Sequence, residues 1–311
     1  KQLRLRNSTQ FRLVRTPGFS GPGEGGDLAQ DDLASWVRAH AVHGAIDTCV
    51  NANPPVPDGV PPAANPLGAP PVRQSAAELV GEMDRLGVNR AIIGPPVPSA
   101  GLSEVDGYRW TLEAVQRYPD RLALAVSVDP NGLMDSVRAL ETMVRSDGAV
   151  AVRFSPARIG KPLTNRMYFP MYTKCVELGL PVMATVGIPG PKIPGMAQHP
   201  KYLDELCYLW PELTVVTTHG GEPWTGLLVK LMSKWPNLYH VLSAFAPKYY
   251  PRDTVAFLNS SRGRGKVMFG TDHPFLPMER VLRELAQAGI TDESMGPFLA
   301  GNASRVFFND K

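Results

Sequence analysis

Along the chain, short apolar runs alternate with segments whose apolar residues recur every three to four positions. Eight runs rich in Val, Ile and Ala fall at 45–50, 91–94, 122–128, 150–154, 181–185, 214–218, 238–242 and 267–270. Segments of helical period lie at 75–86, 104–118, 133–145, 168–178, 201–210, 224–234, 252–261 and 278–288. A short run that is apolar without alternation fits a strand buried on both faces, the condition of strands in parallel sheets. Strands separated by helices imply βαβ units. Eight such units without a compositional break predict an α/β fold closed into a TIM (β/α)8 barrel, which takes roughly 250 residues. The competing reading is an open doubly wound sheet. It would want a Gly-rich dinucleotide turn after an early strand, and no G-x-G-x-x-G stands there.

The pattern divides the chain unevenly. Residues 1–40 read as an N-terminal arm and a lead-in helix: polar, basic and Gly/Pro-rich to about residue 30, then helical over 31–41. Residues 41–311 read as the barrel. The Pro-rich segment 53–73 follows the first strand without a period of its own. In a barrel it would lie over the active-site face, either as a lid or as an irregular surface flap.

Composition narrows the function classes. Hydrophobic residues make up 43% and charged residues 20%, which is enough apolar material for a large core. The net charge of +3 is small, and much of the basic excess sits at Lys1, Arg4 and Arg6, so no nucleic-acid groove is expected. No run reaches the roughly 18 apolar residues of a membrane span, and the start lacks the apolar stretch of a secretory signal. Three cysteines far apart (Cys49, Cys175, Cys207) argue against a disulfide framework and for a cytoplasmic setting. The expected partner is a small-molecule substrate, with no nucleic acid and no membrane. A homodimer is open, since barrels of this kind often pair.

In such a barrel, polar residues at the C-terminal ends of the strands face the site. Strand one offers Asp47, Cys49 and Asn51, which alternation would put on one side. Strand two ends at Gly94, strand three in Ser127 and Asp129, strand four in Arg153 and Ser155, strand five in Thr185. Strand six ends in His219, Gly220, Gly221, Glu222, Pro223 and Trp224. Strand seven carries His240 and Ser243, followed by Lys248, Tyr249 and Tyr250. Strand eight ends in Gly270, Thr271, Asp272 and His273. Glycines after His219 leave its imidazole uncrowded, and Asp272 after a buried strand needs a partner. Together they are the material for proton transfer near neutral pH. They would equally make a structural pair pinning two strand ends. Arg153 can hold a carboxylate bidentately or pair with Asp47 or Asp129. Trp224, Tyr249 and Tyr250 can wall an aromatic pocket or simply pack. Lys248 is an anion contact or a solvated loop lysine. His273 should point to the opposite side from Asp272.

These strand ends resemble the amidohydrolase superfamily, in the branch containing aminocarboxymuconate-semialdehyde decarboxylase, aromatic acid decarboxylases and metal-independent lactonases. The resemblance spans about residues 44–308. It rests on Ile46-Asp47-Thr48-Cys49-Val50-Asn51, on the stretch from Leu180 to Gly187, and on Pro211 through His219-Gly220-Gly221. Phe269-Gly270-Thr271-Asp272-His273-Pro274 and Gly301-Asn302-Ala303-Ser304-Arg305-Val306-Phe307 complete it. Metal-bearing relatives hold their ion through two first-strand histidines, a fifth-strand histidine and the eighth-strand aspartate. Those positions here are Cys49, Asn51, Thr185 and Asp272. The sixth-strand histidine, here His219, serves the family as an acid/base or water-orienting group.

Catalytic zinc usually needs three protein ligands, and Asn51 and Thr185 are weak ones. The expectation is therefore a site without metal or other cofactor. Asp272 and His219 would be its catalytic pair, with Arg153, Asn51, Thr185, Trp224, Lys248 and Tyr249 binding substrate. The alternative is one divalent metal, zinc or manganese, at Cys49 and Asp272 with help from His219 or His273. Cys49 could instead be a nucleophile or a small buried hydrophobe. The expected chemistry is metal-independent hydrolysis of a C–O bond, of ester or lactone type, in a small carboxylated substrate. The rivals are decarboxylation of an aromatic or conjugated acid, and a non-catalytic binding protein that kept the pocket.

Overall fold

The computed structural model describes residues 33–55, 72–95 and 103–308. The arm expected over residues 1–30 and most of the 53–73 segment lie outside these. Eight parallel strands run in sequence order, each paired with the next: β1 (Ala45–Asn51), β2 (Val88–Gly94), β3 (Leu122–Val126), β4 (Ala151–Phe154), β5 (Val182–Thr185), β6 (Val215–Thr218), β7 (Leu238–Leu242) and β8 (Val267–Phe269). Helices precede and separate them: α1 (Leu33–His40), α2 (Ala76–Leu86), α3 (Glu104–Arg117), α4 (Leu133–Arg145), the short α5 (Pro156–Ile159), α6 (Phe169–Leu178), α7 (Tyr202–Leu209), α8 (Thr225–Lys234), α9 (Arg252–Leu258), α10 (Met278–Leu285) and α11 (Asp292–Gly296). This is the TIM barrel the periodicity predicts. No helix among the described residues is long and apolar enough to cross a membrane.

Local chemistry explains the punctuation. Ser75 caps α2 in a reciprocal box with Glu78, and Gly87 ends it in the left-handed conformation. In α10, Met278, Val281, Leu282 and Leu285 are buried on one face. Their three-to-four spacing turns Glu279, Arg280, Arg283 and Glu284 away from that stripe.

The strands carry two cores because both faces are covered. The inner one takes a residue from every strand: Ile46 and Cys49, Ile92, Ala125, Ala151, Met183, Val216, Val241 and Met268. Ala303 and Phe307, from the closing C-terminal segment, complete this inner cluster. Asn302 ties that segment to the start of β8 through the Arg264 and Val267 carbonyls. Strand residues two positions beyond the inner layer, at 153, 185, 218, 243 and 270, line the barrel's C-terminal mouth.

The last seam, between β8 and β1, is closed by few bonds. Asp272 N donates to Cys49 O at 2.7 Å and Asn51 N to His273 O at 2.7 Å. Beneath them Asp47 Oδ1 accepts from Cys49 N (3.1 Å) and Thr271 N (3.0 Å), and the Thr271 hydroxyl donates to its Oδ2. Thr48 Oγ1 donates to Phe269 O at 2.7 Å. The β1 register shifts between Asp47 and Val50. The expected alternation of Asp47, Cys49 and Asn51 on one side therefore fails. The irregularity turns Asp47 into the seam and leaves Cys49 and Asn51 at the mouth.

Asp47 is fully buried, and burial pushes its carboxyl up to about 7 from 3.8. The Thr271 hydroxyl and the Cys49 and Thr271 amides pull it back, while nearby Asp272 adds to the rise. The folded state thus holds this proton more tightly than the unfolded one. The stability from that preference is complete below pH 3.8 and is lost as pH rises through about 7. Asp47→Ala leaves two buried amides unsatisfied and is expected to cost about 2–4 kcal/mol in urea unfolding. Asp47→Asn keeps an acceptor, costs less, and flattens the pH dependence between those two values. An undiminished slope in the Asn variant would assign it to another group.

Candidate metal centre

His219 follows β6 and Asp272 follows β8, and each turns inward with positive φ, 75° and 68°. That conformation is unfavourable for residues with a Cβ and costs about 1–3 kcal/mol where the surroundings impose it. Ser243, at the end of β7, does the imposing for His219. Its Oγ accepts from His219 N at 3.1 Å and lies 3.0 Å from Nδ1, so Nε2 is the ring nitrogen that Ser243 does not engage. On the other side, Asn51 Nδ2 donates to Asp272 Oδ1 at 2.8 Å, and the Cys49 thiol points at the same oxygen from 3.7 Å.

Cys49, His219 and Asp272 therefore converge: a sulfur, an imidazole nitrogen and a carboxylate oxygen all lie within 4.8 Å of one another. Arg153 of β4 joins them. Its Nη1 donates to Asn51 Oδ1 (3.2 Å) and Val50 O (3.4 Å), and its Nη2 to Cys49 Sγ (3.4 Å). The expected alternative, an ion pair with Asp47 or Asp129, does not form. The guanidinium fits because β2 ends in Gly94, where a Cβ would stand 2.6 Å from Arg153 Nη1. Gly270 does the same for Cys49: a Cβ there would lie 3.0 Å from Cys49 Cβ and 2.6 Å from Val241.

Burial sets the protonation of the group. It pushes the Cys49 thiol up to about 12, against the pull of Arg153, so without a cation the sulfur keeps its proton. Burial also lowers the His219 imidazole, with Arg153 adding and Asp272 opposing, so the ring is neutral near pH 7. A neutral imidazole is the ligand form. Glu222, three residues beyond His219, folds back so that Oε2 would lie 2.5 Å from a Cβ on Gly220. Partial burial raises its carboxyl.

The other expected site residues have the following partners. Thr185 Oγ1 accepts from Thr218 at 3.4 Å on the barrel wall. Trp224 lies against the His199 ring, 4.1 Å between centroids. Lys248 and Tyr249 are exposed and lie on each other, Nζ 5.0 Å from the ring centroid. Tyr250 is buried rather than at the mouth. His273 points away from the donor group, as expected, its Nε2 lying 2.7 Å from Gln74 Oε1. Ser243, Gly94 and Glu222 all stood at strand ends without an assigned role. Period-two alternation from Val241 could have singled out Ser243.

The sequence profile of the amidohydrolase family matches residues 37–308. The chain belongs to this family. No curated protein matches it in sequence. Among solved structures, this amidohydrolase resembles an uncharacterised TIM-barrel protein from Bordetella bronchiseptica, with 22% identity, TM-score 0.67, and 84% of this chain and 97% of that one covered. It also resembles 5-carboxyvanillate decarboxylase from Novosphingobium aromaticivorans complexed with manganese and 4-hydroxy-3-methoxy-5-nitrobenzoic acid, with 16% identity, TM-score 0.67, and 90% and 99% covered. A third similar structure is a probable 2-pyrone-4,6-dicarboxylic acid hydrolase from Acinetobacter baumannii with citric acid bound, with 18% identity, TM-score 0.61, and 85% and 99% covered.

The expectation of a site without metal does not stand. A similar barrel holds manganese, and here three ligand-type atoms converge at the mouth. The alternative of one divalent metal at Cys49 and Asp272, with help from His219 or His273, matches the donor group in its His219 form. The residues fit an ion. Three protein donors are the number a catalytic zinc usually takes, and Ser243 and Asn51 hydrogen-bond two of them. Protein purified without chelators is expected to retain about one equivalent of a divalent ion per chain by elemental mass spectrometry. Asp272→Ala should reduce that to below about a tenth, with its circular dichroism spectrum unchanged.

Proposed function

We propose that this amidohydrolase hydrolyses a C–O bond, of ester or lactone type, in a small carboxylated substrate at a metal-assisted site. The observation that carries the reading is Arg153. Its guanidinium sits partly buried beside the donor group, on neutral acceptors and a thiol, with no carboxylate partner among the described residues. A cation placed there without a counter-charge is a ready partner for an anionic ligand.

Cys49, His219 and Asp272 would hold the ion. When bound, a divalent ion there would polarise a carbonyl oxygen and lower the pKa of water. The chain's own groups do the rest. Arg153 takes the substrate carboxylate and so fixes which bond faces the donor group. Ser243 accepts the Nδ1 proton of His219 and keeps Nε2 on the site side. Asn51 holds Asp272 in register. Glu222, its carboxyl raised by partial burial above Gly220, holds its proton to higher pH than an exposed glutamate and hands it to the leaving oxygen.

Decarboxylation of an aromatic or conjugated acid is the second reading. It is favoured by the carboxylate-binding Arg153 and by the decarboxylase among the similar structures. Product analysis separates the two: hydrolysis consumes the ester or lactone without releasing carbon dioxide.

A panel of carboxylated lactones, enol lactones and aryl carboxylates, each with an uncharged analogue, tests the assignment. Arg153→Ala is expected to raise KM for the carboxylated member about 10- to 100-fold, the range for losing a charge-assisted contact of about 1.5–3 kcal/mol. The uncharged analogue should be little affected. Equal losses on both would remove the carboxylate role.

Glu222 gives a second measurement. A required acid with a raised pKa makes kcat fall as pH rises through that value. Glu222→Gln should lower kcat and abolish that alkaline limb, while leaving metal content unchanged. A retained limb would return the proton to another residue.

A further inference from the structure

The donor group at the mouth selects among metals. Resting on the reading that an ion sits on Cys49, His219 and Asp272, we infer that the site is built for a thiophilic, zinc-type ion rather than for manganese. Four features of the chain carry this.

The first is the donor set itself. Sulfur, nitrogen and oxygen converge within 4.8 Å. Soft thiolate ligands suit zinc-type ions, whereas manganese favours carboxylate, carbonyl and water oxygens in six-coordinate sites.

The second is that nearby oxygens are already engaged. Asn51 donates through Nδ2 to Asp272 and accepts through Oδ1 from Arg153. Thr185 Oγ1 accepts from Thr218. What is left is three protein donors, the number a catalytic zinc site takes rather than the six oxygens of an octahedral site.

The third is that Cys49 is fitted to its place. It is fully buried, it lies within the β1 irregularity between Asp47 and Val50, and Gly270 supplies the clearance its Cβ needs. Arg153 Nη2 reaches its sulfur at 3.4 Å, so the thiol has a cationic partner as well as apolar neighbours. Cys175 and Cys207 lie buried on α6 and α7, which leaves Cys49 as the sulfur donor.

The fourth is charge. A thiolate and a carboxylate neutralise a divalent ion, and His219 adds none when neutral. The loaded group then leaves the positive charge of Arg153 for substrate, consistent with an anionic ligand.

The test uses the full chain, stripped of metal by a chelator and dialysed, then titrated separately with zinc, manganese and cobalt(II). Zinc outranks manganese at almost any nitrogen- or oxygen-bearing site, so preference alone decides nothing. The deciding readouts are the sulfur-to-cobalt charge-transfer absorption in the near ultraviolet and the change in zinc-over-manganese preference on Cys49→Ser. The expected result is one equivalent of cobalt with that absorption. Cys49→Ser should lose the band and at least about tenfold of the zinc preference.

Tight binding of cobalt or manganese without the band, and with preference unchanged in Cys49→Ser, would overturn the thiophilic assignment and leave the metal-assisted reading standing. Failure of all three ions to bind would overturn both. If Cys49→Ser does not fold, the wild-type cobalt spectrum decides alone, since no oxygen or nitrogen donor produces that absorption.

Discussion

The structure depends on how β8 meets β1. A parallel barrel must pair its last strand with its first or leave backbone donors and acceptors exposed along an edge. Here β8 is only three residues long, and the seam is completed beyond it. Asp272 and Asn51 exchange backbone bonds with Cys49 and His273, and Asp47 bridges to Thr271 below. Residues 49–51 and 271–273 therefore do two jobs. They close the barrel, and they bring a thiol, an amide and a carboxylate to one point at its mouth. The site is as rigid as the closure, because both are made of the same backbone.

That economy has a conformational cost. His219 and Asp272 both occupy the left-handed region, where a Cβ is unfavourable. Each is held by neighbours that are themselves anchored, His219 by Ser243 and Asp272 by Asn51 and the Cys49 carbonyl. Without those bonds the two side chains would relax away from one another. The glycines beside them act by subtraction: Gly94 and Gly270 make room for Arg153 and Cys49, which no larger residue at those positions would allow.

The electrostatics follow from burial on the same plan. Asp47, Cys49 and His219 are all pushed toward their neutral forms by desolvation. The Arg153 guanidinium lies at the edge of the group, against Asn51, Val50 and Cys49. A cation held between the thiol, the imidazole and the carboxylate would face a thiol and an imidazole that burial keeps neutral, and its charge is what would release the thiol proton.

Much of the fold was legible along the chain. The eight apolar runs and their intervening helical segments are the elements observed, because parallel strands buried on both faces must be apolar without interruption. His219 and Asp272 were legible as candidates because polar groups at the C-terminal ends of such strands tend to face the barrel mouth, and the structure brings the two within 4.8 Å of each other. What the chain by itself determined, then, was period, order and the residues at strand ends, all of which are local properties. Tertiary structure alone decided the rest. A one-residue irregularity sent Asp47 into the seam and Cys49 to the mouth. Ser243 met His219 across two strands. Lys248 and Tyr249 turned to solvent, and it was His219 rather than His273 that came within 4.8 Å of Cys49 and Asp272. Each of these depends on which atoms meet across the barrel, and distance between side chains remote in sequence is not encoded in any one segment.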